Sequence, residues 1–167
     1  LEIALRLEDL MHLLGFHTVM IRDTDRSVHT EGDTIAQIKI SDLKNRVKKT
    51  NNSSGAILVS IHQNYFGQSK YRGAQVFSSK TKGSYELAQI MQKSLVSTLD
   101  PTSNRKVKKA EGVYLMDKIK CTGILVECGF ISNPTEAQKL ETAEYQKKIC
   151  GVIASVLSQY IKEDPIA

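Results

Sequence analysis

Two residues in this sequence stand where chemistry could be done. His62 lies in "AILVSIHQN" (Ala56 to Asn64), and Glu127 lies in "GILVECGFISN" (Gly123 to Asn133). Each ends, or nearly ends, a run of consecutive apolar residues. An ionised carboxylate in such a run costs several kcal/mol unless something offsets it. An imidazole and a carboxylate brought into one crevice would suit a metal-bound water with a general base beside it. Plainer readings compete with this one. His62 could be a satisfied structural histidine, and Glu127 could simply pair with an arginine such as Arg22 or Arg46. His12 and His17 sit around the first helical pattern and His29 in a polar loop, so they are weaker candidates. Cys121 and Cys128 flank one extended stretch about 23 Å long, too far apart for a disulfide while it is straight. With no CxxC and no His–Cys spacing, the three cysteines do not suggest a metal site.

The elements that must position the two residues follow from periodicity. "LEIALRLEDLMHLLGF" puts Leu1, Ala4, Leu7, Met11 and Leu14 on one helical face, with Gly15 as the stop. The pattern is already under way at residue 1, as if cut into a helix, so the domain reads as incomplete there. "HTVMIR" (His17 to Arg22) predicts a short strand. A helix is expected from about Thr34, with Ile35, Ile38 and Val47 on or near one face, until "TNNSSG" breaks it. Ala56 to Asn64 reads as a strand buried on both faces. "AQVFSS" (Ala74 to Ser79), "GVYLM" and "GILVECGF" are further expected strands. Ser84 is suited to cap a helix carrying Leu87, Ile90 or Met91, and Leu95. "NPTE" (Asn133 to Glu136) is a helix start, and a last helix spans about Ala143 to Glu163. Alternating strands and helices argue an α/β fold with a largely parallel sheet. Ligands then bind at the carboxyl ends of strands, where His62 and Glu127 lie.

At 167 residues, 41% hydrophobic and 25% charged, the chain suits one soluble globular domain. No run approaches the roughly 20 apolar residues of a membrane span. The net charge of +5 gathers in "KNRVKK" and "NRKVKK". These runs read as solvated surface, since no aromatic residues interleave with them and no nucleic-acid motif is present.

The runs "ILVSIHQN" and "GILVECGFISNPTE" resemble the two later signatures of zinc-dependent N-acetylmuramoyl-L-alanine amidases. "IRDTD", "SDLKNRV" and "GAQVFSS" are similar as well, in the same order, over about residues 1 to 162. "HQNYF" and "GAQVF" look most like the single-domain amidases of endospore formers that act on spore cortex. The resemblance implies a mostly parallel mixed sheet flanked by helices on both faces, here lacking its N-terminal strand. It implies one catalytic domain over residues 1–163 with 164–167 as a tail, a Zn2+ cofactor, and peptidoglycan as substrate. An extracytoplasmic location in the cell wall or spore envelope follows. Residue by residue, it implies His62 as a zinc ligand, Asn64 as a substrate-binding residue and Glu127 as the catalytic base.

The family's other two ligands are a histidine in a Gly-His-Gly-Gly motif and a glutamate just before the first helix. Neither has a counterpart here, and Glu2 and Glu8 lie too far into the helix to stand in. The expected reaction is hydrolysis of the amide joining N-acetylmuramic acid to L-alanine. The alternative is a non-catalytic or partner-dependent peptidoglycan-binding module. An accessory protein, and self-association through an exposed sheet edge, are further expected partnerships.

Overall fold

The computed structural model describes residues 1–163, so the expected tail at 164–167 lies outside the described residues. Four strands form one mixed sheet: β1 (Leu58–Asn64), β2 (Gln75–Ser78), β3 (Lys108–Lys109) and β4 (Gly123–Phe130). Their order is β1-β4-β2-β3. β1 runs parallel to β4 and β2 parallel to β3, whereas β2 and β4 are antiparallel. Six helices surround the sheet: α1 (Glu2–Leu13), α2 (Ile35–Asn51), α3 (Ser84–Leu99), α4 (Tyr114–Lys118), α5 (Pro134–Glu141) and α6 (Ala143–Glu163).

Strand alternation sorts the core into two layers. Val76, Ile124, Val126 and Cys128 point to one face and pack against α1, α3, α5 and α6. Leu58 and Leu125 point to the other, against Leu115, Met116 and Ile119 in and beside α4, with Val47 of α2 at the margin. The expected sandwich of helices on both sheet faces is therefore present.

Local signals set most helix ends. The Thr34 hydroxyl accepts from Gln37 N, and the Gln37 side chain answers the cap backbone, so α2 starts with a capping box. Gly15 adopts φ 85° just after α1, a conformation that costs glycine no Cβ clash. Asn133 caps α5 by accepting from Glu136 N, with Pro134 in the first turn.

Several expectations are corrected. The buried stripe of α1 is Ile3, Leu7 and Met11, while Leu1 and Leu14 are exposed. That stripe joins Ile149, Cys150 and Ile153 of α6 in one cluster, and Leu1 and Leu14 lie outside the helix. Ile35 of α2 is exposed, because the helix rests on its neighbours through its C-terminal half. "GVYLM" is not a strand: residues 114–118 form α4, burying Leu115, Met116 and Ile119 at helical spacing. So short an apolar run does not discriminate the two periods. Gly83, not Ser84, caps α3; the Ser84 hydroxyl instead accepts from Gly123 N. Met91 rather than Ile90 faces the core.

The largest difference concerns β1. Its sequence reads as buried on both faces, yet it is an edge strand whose Val59 and Ile61 are only partly buried. Residues 17–22, expected as a strand, pair with no strand of the sheet. Between them and β1 lies a cavity of about 1100 Å³. The sheet is open along β1, as the resemblance implies.

Candidate functional site

Register brings the two candidate residues together. His62 of β1 and Glu127 of β4 are Cα partners in the parallel pair, so both side chains project from the face that carries α2 and α4. The register then slips between His62 and Asn64, and Asn64 pairs with Phe130. β4 thus holds an extra residue just beyond Glu127, an irregularity of the kind that re-aims side chains at sheet ends.

Glu127 is half-buried, and its Oε2 is buried without a hydrogen-bond partner among the described residues. Its neighbours explain this. Gln75, opposite it on β2, spends its amide nitrogen on Val76 O, Gln92 Oε1 and Lys106 O. The Gln75 oxygen accepts from Arg105 Nη1. Neither arginine weighed as a partner pairs with Glu127. Arg22 binds Asp25 at 3.2 Å, and Arg46 binds Asp42 at 2.6 Å. Burial pushes the Glu127 carboxyl up to about 7. A carboxylate so placed is a functional-site candidate on physical grounds.

His62 is exposed, and its Nε2 lies 3.0 Å from the Ser60 hydroxyl on the same strand face. Desolvation by the surrounding protein, then the nearby positive charges of Arg46 and Arg22, hold its pKa below the ordinary histidine range. Both influences favour the neutral ring, the form that accepts a proton or binds a metal. Asn64 is half-buried at the end of β1, where its carbonyl accepts from Ile131 N at 2.8 Å.

Among the described residues there is no group of three or more His, Cys, Asp or Glu able to hold a metal ion. A catalytic zinc takes three protein ligands plus water. His62 offers one imidazole, so the described residues alone do not make up a zinc site. The unpartnered Glu127 oxygen fits a bound polar group beside His62, but does not supply the missing donors. Cys121, Cys128 and Cys150 are free thiols, in keeping with the spacing argument.

One polar residue of this region was not singled out for chemistry. Glu136, read only as part of a helix start, is buried and accepts from Gly73 N and Phe130 N, each at 2.9 Å. Nothing in the local pattern "NPTE" distinguishes this from an ordinary cap.

Comparison with known proteins adds the following. The family described as N-acetylmuramoyl-L-alanine amidase matches residues 1–159. The germination-specific N-acetylmuramoyl-L-alanine amidase of Bacillus subtilis is 35% identical over 98% of this chain and 69% of its own length. The CwlD amidase of Clostridioides difficile, solved in complex with the GerS lipoprotein, superposes with a TM-score of 0.91 at 38% identity. That match covers 97% of this chain and 84% of the other. The catalytic domain of CwlV from Bacillus (Paenibacillus) polymyxa matches in fold, with a TM-score of 0.75 at 22% identity over 96% and 82%.

Proposed function

We propose that this chain, which belongs to the N-acetylmuramoyl-L-alanine amidase family, hydrolyses the amide between N-acetylmuramic acid and L-alanine of peptidoglycan in the spore cortex. One observation supports the chemistry most directly: the buried, unpartnered Glu127 oxygen at the carboxyl end of β4, opposite His62. Raised to about 7, that carboxyl is close to half ionised at neutral pH, where a general base and acid is most effective. In the proposed reaction Glu127 takes the proton of the attacking water at Oε2. It then returns that proton to the departing alanine nitrogen as the C–N bond breaks. Asn64, fixed at the strand end, is the proposed substrate-binding residue.

Zn2+ is the proposed cofactor and His62 its proposed ligand. The described residues do not complete such a site. Action outside the cytoplasm, at the cell wall or spore envelope, follows from the substrate. No helix among the described residues is long and apolar enough to cross a membrane. Residues 1–163 are read as one catalytic domain. An accessory protein, of the kind bound to the Clostridioides difficile amidase, is a proposed partner. So is a second copy at the open edge of β1.

The test is a digest of purified cortex peptidoglycan followed by mass spectrometry of released stem peptides. Glu127→Gln is expected to keep the fold and abolish release. Near-normal release by that variant overturns the assignment. Metal content per chain, with and without His62→Ala, tests the cofactor. A chain that binds peptidoglycan without releasing peptide would instead be the binding module.

A further inference from the structure

The loop from Tyr65 to Gly73 leaves the end of β1 directly beside the site. It is fastened to the segment after β4 by side chains, without sheet pairing. Phe66 N donates to Ser132 Oγ at 3.1 Å, and Asn133 Nδ2 donates to Ser69 O at 2.8 Å. At the far end of the loop, Gly73 N donates to Glu136 Oε2 at 2.9 Å, and the same oxygen accepts from Phe130 N at 2.9 Å. Glu136 is only 8% exposed, so one buried carboxylate joins the loop's end to the last residue of the catalytic strand. Charge-assisted bonds of this type are the strong ones.

The geometry around the clamp is specific. A Cβ at Gly129 would sit 3.1 Å from Glu136 Oε2, so the glycine gives the carboxylate its room. Gly73 holds φ 85° at the turn that aims its N–H. Arg105 lies over the Phe130 ring at 4.7 Å and donates to Arg72 O at 2.7 Å, bracing the loop from the other side. Phe66 and Tyr71 meet edge to face at 4.8 Å, and Tyr71 lies 6.2 Å from Phe130.

What this bracing holds is an exposed apolar surface. Tyr65 is 72% exposed, Phe66 51% and Ile131 46%. The two segments that carry them are tied together, since Ile131 N donates to Asn64 O and Phe66 N to Ser132 Oγ. Tyr65 follows Asn64 and stands three residues after His62. Rigid aromatic faces cost little entropy on binding, and a loop ordered in advance removes most of the rest.

We propose that Glu136 is a positioning residue, and that the Tyr65–Gly73 loop it clamps is a wall against which a pyranose ring of the glycan strand packs. This rests on the amidase reading, since the site's substrate then carries a sugar next to the scissile amide. Aromatic faces suit the apolar face of a pyranose, while Asn64 and the polar loop ends suit its hydroxyls.

The test uses the full chain with Tyr65→Ala/Phe66→Ala, Glu136→Ala and Glu136→Gln. Retention on purified peptidoglycan, competed by the soluble N-acetylglucosamine–N-acetylmuramic acid disaccharide or by free stem peptide, is measured with amide hydrogen exchange at Gly73 and Phe130. The aromatic double variant is expected to keep its melting temperature and weaken retention roughly tenfold, the factor that about 1.4 kcal/mol represents. Disaccharide, and not stem peptide, should compete with the wild type. Glu136→Ala is expected to expose both amides to exchange and weaken retention similarly, raising KM more than it lowers kcat. Glu136→Gln, which keeps an acceptor oxygen, should restore both readouts in large part. Wild-type retention by the aromatic variant, or competition by stem peptide alone, overturns the proposal. So does free exchange in Glu136→Ala with retention unchanged. Disaccharide-sensitive retention without peptide release would defeat the amidase reading and leave the wall standing.

Discussion

Replacing Glu127 with glutamine should remove a loss of stability that the metal-free chain suffers as pH rises through about 7. The carboxyl is raised from 4.5 to about 7 by burial, so the folded chain holds this proton more tightly than the unfolded one. For a raised acid, the stabilising contribution is full below about 4.5 and is lost as pH climbs through about 7. At roughly 1.36 kcal/mol per pH unit, that interval gives a ceiling of about 3.4 kcal/mol. Glu127 is half-buried, and solvent screening brings the expected effect down to about 1–2 kcal/mol. Glutamine abolishes the titration, although its amide carries a burial cost of its own at every pH. The pH dependence of the difference is therefore the signal. Urea unfolding with a chelator present should show Glu127→Gln gaining about 1–2 kcal/mol on wild type between pH 4 and pH 8.5. A difference that does not change with pH, or one that moves the other way, refutes the claim that this carboxylate is held at a cost.

Gln92→Leu should destabilise the fold by about 2–4 kcal/mol in thermal or urea melts, because Val76 N and Ala74 O lose their buried partner. Gly123→Ala should cost about 1–3 kcal/mol, since its new methyl group meets Ile119 Cδ1; adding Ile119→Val should recover part of that loss. The unpaired edge of β1 should make the chain associate as its concentration rises, read by light scattering, and Ile61→Lys should return it towards monomer. An unchanged mass across the concentration range would show that the edge is not used.

The parts of the fold legible in the sequence are those decided locally. Gly123 to Phe130 is a strand as read, and the Asn133–Pro134 cap starts its helix as read, because each signal acts within one turn. His62 and Glu127 were legible as a pair through their position at strand ends, and the register joins them. The illegible parts depend on distant partners. Periodicity could not say which stripe of α1 would meet α6, nor that Tyr114 to Lys118 would coil against Leu125. β1 reads as buried on both faces, yet Val59 and Ile61 are only half-buried, since among the described residues β1 lies at the sheet edge. Glu136 looked like a capping glutamate, and only the tertiary fold shows its carboxylate turned to Gly73 and Phe130.

Glu127 and Glu136 together show why burial by itself does not mark the site. Both belong to the same strand–loop–helix unit, and both carry a carboxylate oxygen out of solvent. Glu136 receives two backbone N–H groups on one oxygen. Glu127 Oε2 receives none among the described residues: Gln75 opposite it is engaged with Gln92 and Lys106, and the two arginines weighed as partners bind Asp25 and Asp42. A fold that satisfies one buried carboxylate in this unit can satisfy another. Leaving Glu127 without a donor costs stability that a merely structural glutamate would recover through one substitution. The arrangement is explained if the missing partner is the substrate's water, whose proton a saturated carboxylate would be too weak a base to take.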